Sequence, residues 1–187
     1  MRSMSALAVA ILLVPATALA APPVWKVDTA KSKLGFHLVA GGQPVDGVFP
    51  AFDAVVAFDP SDLAHSSIKV TINVTRAHSG NTTRDAMLPL PAWFDAKQFP
   101  KAHFDATTIT WKGGEKYEAV GALSLKGLSK PVTLPFTLTI SGNTAHAFGE
   151  TTIKRRDFKV GDGKDYDPPA AALDVKVTVD IIAMRKP

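Results

Sequence analysis

The sequence predicts an all-β fold: an antiparallel β-barrel of about eight strands, with a short helical insertion around residues 80–99. Three observations predict it. Apolar and polar residues alternate at period two along most of the chain. Short turns rich in Gly, Asp and Asn separate those runs. One segment, residues 84–104, breaks the alternation with three prolines and four aromatics. Strands with one apolar face each must bury it, and a barrel does so while pairing every edge.

Residues 24–28 begin the strand series. Leu34, Phe36 and Leu38 then alternate with Lys33, Gly35 and His37, and residues 45–58 form a strand interrupted at Pro50. Val70, Ile72 and Val74 alternate with Lys69, Thr71 and Asn73. In residues 79–99, Ser79 and Asn81 can cap, residues 84–88 permit a helix, and Pro89 and Pro91 stop it. Strands follow at 103–111, which takes in Phe104, and at 118–126. Val132, Leu134, Phe136, Leu138 and Ile140 make the longest one-sided row, opposite Thr133, Thr137 and Thr139. After a strand at 144–153, the polar, proline-bearing residues 161–173 read as a long loop at one barrel end. Val175, Val177, Val179 and Ile181 close the series, facing away from Lys176, Thr178 and Asp180.

Residues 1–20 read as a cleavable secretory signal: Arg2, an apolar run over 6–14, Pro15, and the small-residue pattern Ala18-Leu19-Ala20. The run is shorter than the roughly 20 residues that span a bilayer. Residues 21–187 then form a single domain, expected in the periplasm and not membrane-spanning once mature. The chain has no cysteine, which excludes disulfides, a lipoprotein anchor and thiolate chemistry. Its net charge of +4 is mild and its bases are scattered. Only Lys154-Arg155-Arg156 forms a run, which reads as a solvated strand end; no nucleic-acid partner is expected.

Chemistry-bearing motifs are thin. His37, His65, His78, His103 and His146 show no metal-ligand spacing, although two of the strand histidines His37, His103 and His146 could meet across the sheet. A metal-dependent enzyme using them is the weaker alternative, and no catalytic residue and no metal ligand is assigned. The carboxylates Asp162, Asp165 and Asp167 lack the density and closing Glu of a calcium loop. Arg84-Asp85 can clamp the insertion to the barrel or meet a ligand headgroup. Ten Phe against two Tyr suit an apolar cavity more than a polar one. At about 0.8 kcal/mol per buried methylene, such a cavity binds a long apolar chain with no catalytic-looking residue. Its expected lining is Phe36, Leu38, Ile72, Trp93, Phe94, Phe99, Phe104, Leu134, Phe136, Leu138, Phe148, Val177 and Val179.

A set of short motifs in order carries a resemblance. They are Trp25-x-Val27-Asp28, Gly47-x-Phe49, Phe58-Asp59-Pro60, Arg84-Asp85 with Trp93-Phe94-Asp95, and Phe99-Pro100-x-Ala102-x-Phe104. Gly121-x-Leu123-x-Leu125-Lys126-Gly127 with Lys130-Pro131-Val132, and Arg156-Asp157-Phe158, complete it. The chain resembles the YceI-like family of periplasmic, polyisoprenoid-binding proteins. The resemblance implies an extended lipocalin-like barrel holding a polyisoprenoid or quinone-like lipid, with no enzymatic activity and no other cofactor. The alternative is an accessory electron-transfer module partnering a cytochrome b561-type membrane protein, with the bound quinone as redox group; a homodimer stays open. Two positions depart from the family pattern. Ala86-Met87-Leu88-Pro89-Leu90 replaces His-Leu-Arg-Ser after the Arg-Asp pair, and Lys159 stands where glycine is usual after Phe158.

Overall fold

The computed structural model describes residues 21–186; the expected signal segment lies outside the described residues. The strands are β1 (Val24–Val27), β2 (Lys33–Ala40), β3 (Gln43–Val48), β4 (Phe52–Ala57) and β5 (Ser67–Asn73). Helix α1 (Thr82–Met87) precedes β6 (Lys101–Gly113), β7 (Lys116–Leu125), β8 (Leu128–Ser141), β9 (Thr144–Lys154) and β10 (Asp174–Arg185). All pairings between them are antiparallel, and the sheet closes through β1 and β10.

The register shows why ten strands make an eight-stranded barrel. Both β1 and β2 pair with β10, Trp25 opposite Arg185 and Leu34 opposite Val179. They are one strand interrupted by the turn at residues 28–32. There Ser32 Oγ donates to Asp28 O at 2.7 Å and accepts from Ile182 N at 2.9 Å, bridging the gap in the ladder. β3 and β4 are likewise one strand broken at Phe49-Pro50-Ala51, with Phe52 opposite Ile72 on β5 and Val48 bridged to His78 further along. The expected interruption at Pro50 is therefore real, since proline cannot donate to a ladder. Chain order equals spatial order throughout, an up-and-down barrel.

Interior width is set by residue size. The row Val132 to Ile140 on β8 points inward, as the alternation predicts. The neighbouring strand β9 turns its small residues inward. A Cβ on Gly149 would sit 2.7 Å from Pro135 O and 2.9 Å from Phe136 Cβ. Ala145 and Ala147 share that face. This parity corrects the expectation for Phe148, which points outward and is 46% exposed. The bulky β8 row already occupies the interior there, so β9 can offer it only small side chains.

The two ends differ. At one end Trp25, Phe58, Tyr117 and Phe136 pack as a plug: Tyr117 stacks on Phe136 at 5.6 Å and meets Phe58 edge-on at 5.6 Å. Trp25 Nε1 donates to Phe58 O at 2.9 Å, so its polar edge is satisfied. The other end is covered by α1, the proline-rich stretch after it, and the loop between β9 and β10. Val74, Leu88, Phe94, Phe158 and Val160 form the small core under this cap.

Candidate functional site

Between plug and cap the barrel is not filled. A cavity of about 180 Å³ lies towards the plug and one of about 400 Å³ lies under the cap. Leu34, Ile72, Leu123, Ile153 and Val177 line both, so the two are successive chambers of one interior. The inward rows are consequently only half-buried. Val70, Leu134, Leu138, Val179 and Ile181 would be fully buried in a packed core, but here they border open space. Thr151 is the one polar residue lining the deeper chamber, and its hydroxyl is committed to Thr133 O at 2.9 Å. A continuous, largely apolar interior is the result.

The sequence-expected lining divides clearly. Phe104, Leu134, Phe136, Leu138 and Val179 line the deeper chamber. Phe36, Leu38, Trp93 and Phe94 line the wider one, and Ile72 and Val177 border both. Phe148 lines neither, and nor does Phe99, which packs against Gly127 in the turn after β7. Phe99 therefore anchors the cap and does not face the interior. Phe49, which the alternation did not single out, joins the wider chamber. It links Phe36 at 5.3 Å to Phe94 at 5.9 Å, a chain of rings from barrel wall to cap. Gly47 makes room for the Phe36 ring, because a Cβ there would lie 2.1 Å from it.

The cap hangs on buried polar groups. Arg155, only 2% exposed, corrects the reading of Lys154-Arg155-Arg156 as a solvated strand end. Nε donates to Ala172 O and Nη1 to Val160 O and Gly161 O; Nη2 donates to Tyr166 O and Ala171 O. All five guanidinium donors thus gather carbonyls of the β9–β10 loop. Its face lies over the Trp93 ring at 5.8 Å. Burial pushes its pKa down, but an arginine remains charged. Once the parity of β9 is known, period two carries its inward face from Ile153 to Arg155. Lys126 adds a second tie, donating to Lys159 O at 2.6 Å and Ala92 O at 3.3 Å. Lys159 itself takes the left-handed conformation, φ 53°, so the turn usual for glycine persists with lysine in it.

Arg84 and Asp85 do different jobs. Asp85 Oδ1 accepts from Ser79 N at 2.7 Å and Ser79 Oγ at 2.6 Å, while Oδ2 pairs with His78 Nδ1 at 2.5 Å. The Ser79 hydroxyl, ahead of the other contacts, holds the Asp85 carboxyl below the usual carboxylate range. Because His78 is bridged to Val48, this cluster ties the start of the cap to β3. As expected, Asn81 caps α1, accepting from Arg84 N at 3.0 Å. The Arg84 side chain lies along the wider chamber.

The strand histidines do not meet. His37 pairs with Asp46, His146 with Asp180, and His103 with Thr71, each on the outer surface or a strand edge. Among the described residues no group of three or more His, Cys, Asp or Glu is placed to hold a metal ion. No helix among them is long and apolar enough to cross a membrane.

The model of the YceI-like domain matches residues 25–183. The chain belongs to the YceI-like family. It is 31% identical to Protein YceI of Escherichia coli O6:H1 over 145 residues, 74% of either chain. A UPF0312 protein of Photorhabdus laumondii is 29% identical over 180 residues, 91% of either chain. Among solved structures, BcnA of Burkholderia cenocepacia superposes with a TM-score of 0.81 at 35% identity, covering 84% of this chain and 99% of that one. A domain of Saccharophagus degradans described as polyisoprenoid-binding superposes at 0.70 with 12% identity, covering 87% and 98%, which shows a shared fold. YceI-like membership agrees with the lipocalin-like barrel that the sequence implies.

Proposed function

We propose that this protein is an exported, non-catalytic carrier, store or sensor that holds a long-chain polyisoprenoid or isoprenoid-quinone-like lipid inside the barrel. The carrying observation is the pair of continuous apolar chambers, bordered by inward side chains that no protein atom covers. An elongated chain can fill both, its tail towards the Trp25–Tyr117 plug and its head under the cap. Each methylene removed from water contributes about 0.8 kcal/mol, which supplies affinity without polar complementarity. The polyisoprenoid-binding description of the Saccharophagus neighbour supports the same class of ligand. Export to the periplasm rests on the signal-like residues 1–20. The alternative reading, an accessory electron-transfer module partnering a cytochrome b561-type protein through a bound quinone, is tested by ligand-dependent quinol oxidation by the purified pair.

Ala147, an inward alanine of the deeper chamber, supplies the direct test. Delipidated protein is expected to take up a C40 prenyl alcohol, and Ala147→Phe, which fills the chamber, to lose at least about tenfold in affinity. Equal uptake by both proteins would place the lipid outside the barrel.

A further inference from the structure

The wider chamber is apolar along its walls but not at its mouth. Arg84 lines it from α1, and its guanidinium bonds only to neutral groups: Nε donates to Ser79 Oγ at 3.3 Å and Nη2 to Ser79 O at 3.4 Å. The remaining donors of its fork have no protein acceptor among the described residues. Nor does Arg84 form an ion pair among them, because the adjacent Asp85 is committed to Ser79 and His78. The second guanidinium lining the chamber, Arg155, is likewise surrounded by carbonyls and forms no ion pair. Asp165 is the sole carboxylate on the lining, and it is exposed. Arg155 is enclosed by carbonyls and lies in the field of Asp167 and Asp162, so Arg84, with unfilled donors beside an apolar wall, is the lining cation free to meet a lipid head. An oxyanion can take the unfilled donors of the Arg84 fork through charge-assisted, two-pronged hydrogen bonds.

We propose that Arg84 makes the mouth a headgroup site for an oxyanion, so that the barrel prefers prenyl phosphates or prenyl carboxylates to the neutral alcohol of the same chain. This rests on lipid occupying the barrel, and it adds the class and position of the head. A neutral head can use one donor of the fork, whereas a phosphate or carboxylate accepts two in the guanidinium plane.

Calorimetric titration with geranylgeranyl monophosphate, geranylgeranic acid and geranylgeraniol tests it, since the three share one chain. The expected result is that both acids bind about tenfold tighter than the alcohol at low salt, and that high salt narrows the gap. Arg84→Gln is expected to bring the acids to the alcohol's affinity, and Arg84→Lys to retain part of the preference. Equal binding of acids and alcohol by the unaltered protein overturns the headgroup site and leaves the lipid cavity standing. An equal loss for all three ligands in Arg84→Gln also overturns it, by assigning Arg84 to the architecture of the cap. Failure of all three to bind the unaltered protein overturns the lipid-binding reading itself, and this inference with it.

Discussion

The plug and the cap close the same barrel by opposite means. At the plug, Trp25, Phe58, Tyr117 and Phe136 come from β1, the end of β4, β7 and β8, and hold by ring packing within the continuous hydrogen-bonded wall. At the cap, the covering chain is irregular, so its backbone groups need partners that no ladder supplies. Arg155, Lys126 and the Asp85–Ser79–His78 cluster supply them. Packing that is part of the wall can give way only with the whole fold. A cover tied by a few polar groups can open locally.

That contrast is breakable at each end. Phe136→Ala should cost about 3–5 kcal/mol in the urea unfolding of the wall. Arg155→Met strands five carbonyls of the loop and should cost about 2–4 kcal/mol. Hydrogen exchange and limited proteolysis should show residues 160–172 opening well before the wall. If the wall loses protection at the same denaturant concentration, plug and cap are one unit and the contrast fails.

Asp85→Asn should cost about 1–2 kcal/mol and speed exchange in α1. The folded pKa of Asp85 is depressed, so its contribution is complete above the unfolded value of about 3.9 and fades as pH falls through the folded value. Acid should therefore loosen the cap of the unaltered protein, while Asp85→Asn should lose that part of the pH dependence. Cap exchange with the same acid response in both proteins would assign it to another group. Smaller still, Lys159→Gly should add about 0.5–1 kcal/mol by relieving the left-handed lysine. Phe148→Ser should leave both stability and prenyl uptake unchanged, within about 0.5 kcal/mol. A large effect of Phe148→Ser on uptake would return that side chain to the interior.

Much of the wall was legible from residue order. Period two located the strands, and the β8 row fixed which face of that strand points inward. Proline at position 50 marked the break between β3 and β4. Phe148 was misplaced because the face of β9 cannot be read from hydrophobicity alone: its inward residues Ala145, Ala147 and Gly149 are small. Their size answers the bulk of Phe136 and Leu134 on the neighbouring strand, a long-range fact. The cap was harder. Pro89 and Pro91 announced an irregular segment, but nothing local to Arg155 says that carbonyls of residues 160–172 will fold around it. A charged residue in a basic run reads as solvated until the topology returns a loop over it.

The account stands on the barrel interior being occupied by a prenyl lipid. Protein purified from its own cells and extracted with organic solvent should yield, by mass spectrometry, a long-chain prenyl species in near-stoichiometric amount. Repeated recovery of empty, well-folded protein that also fails to take up prenyl lipids would contradict it.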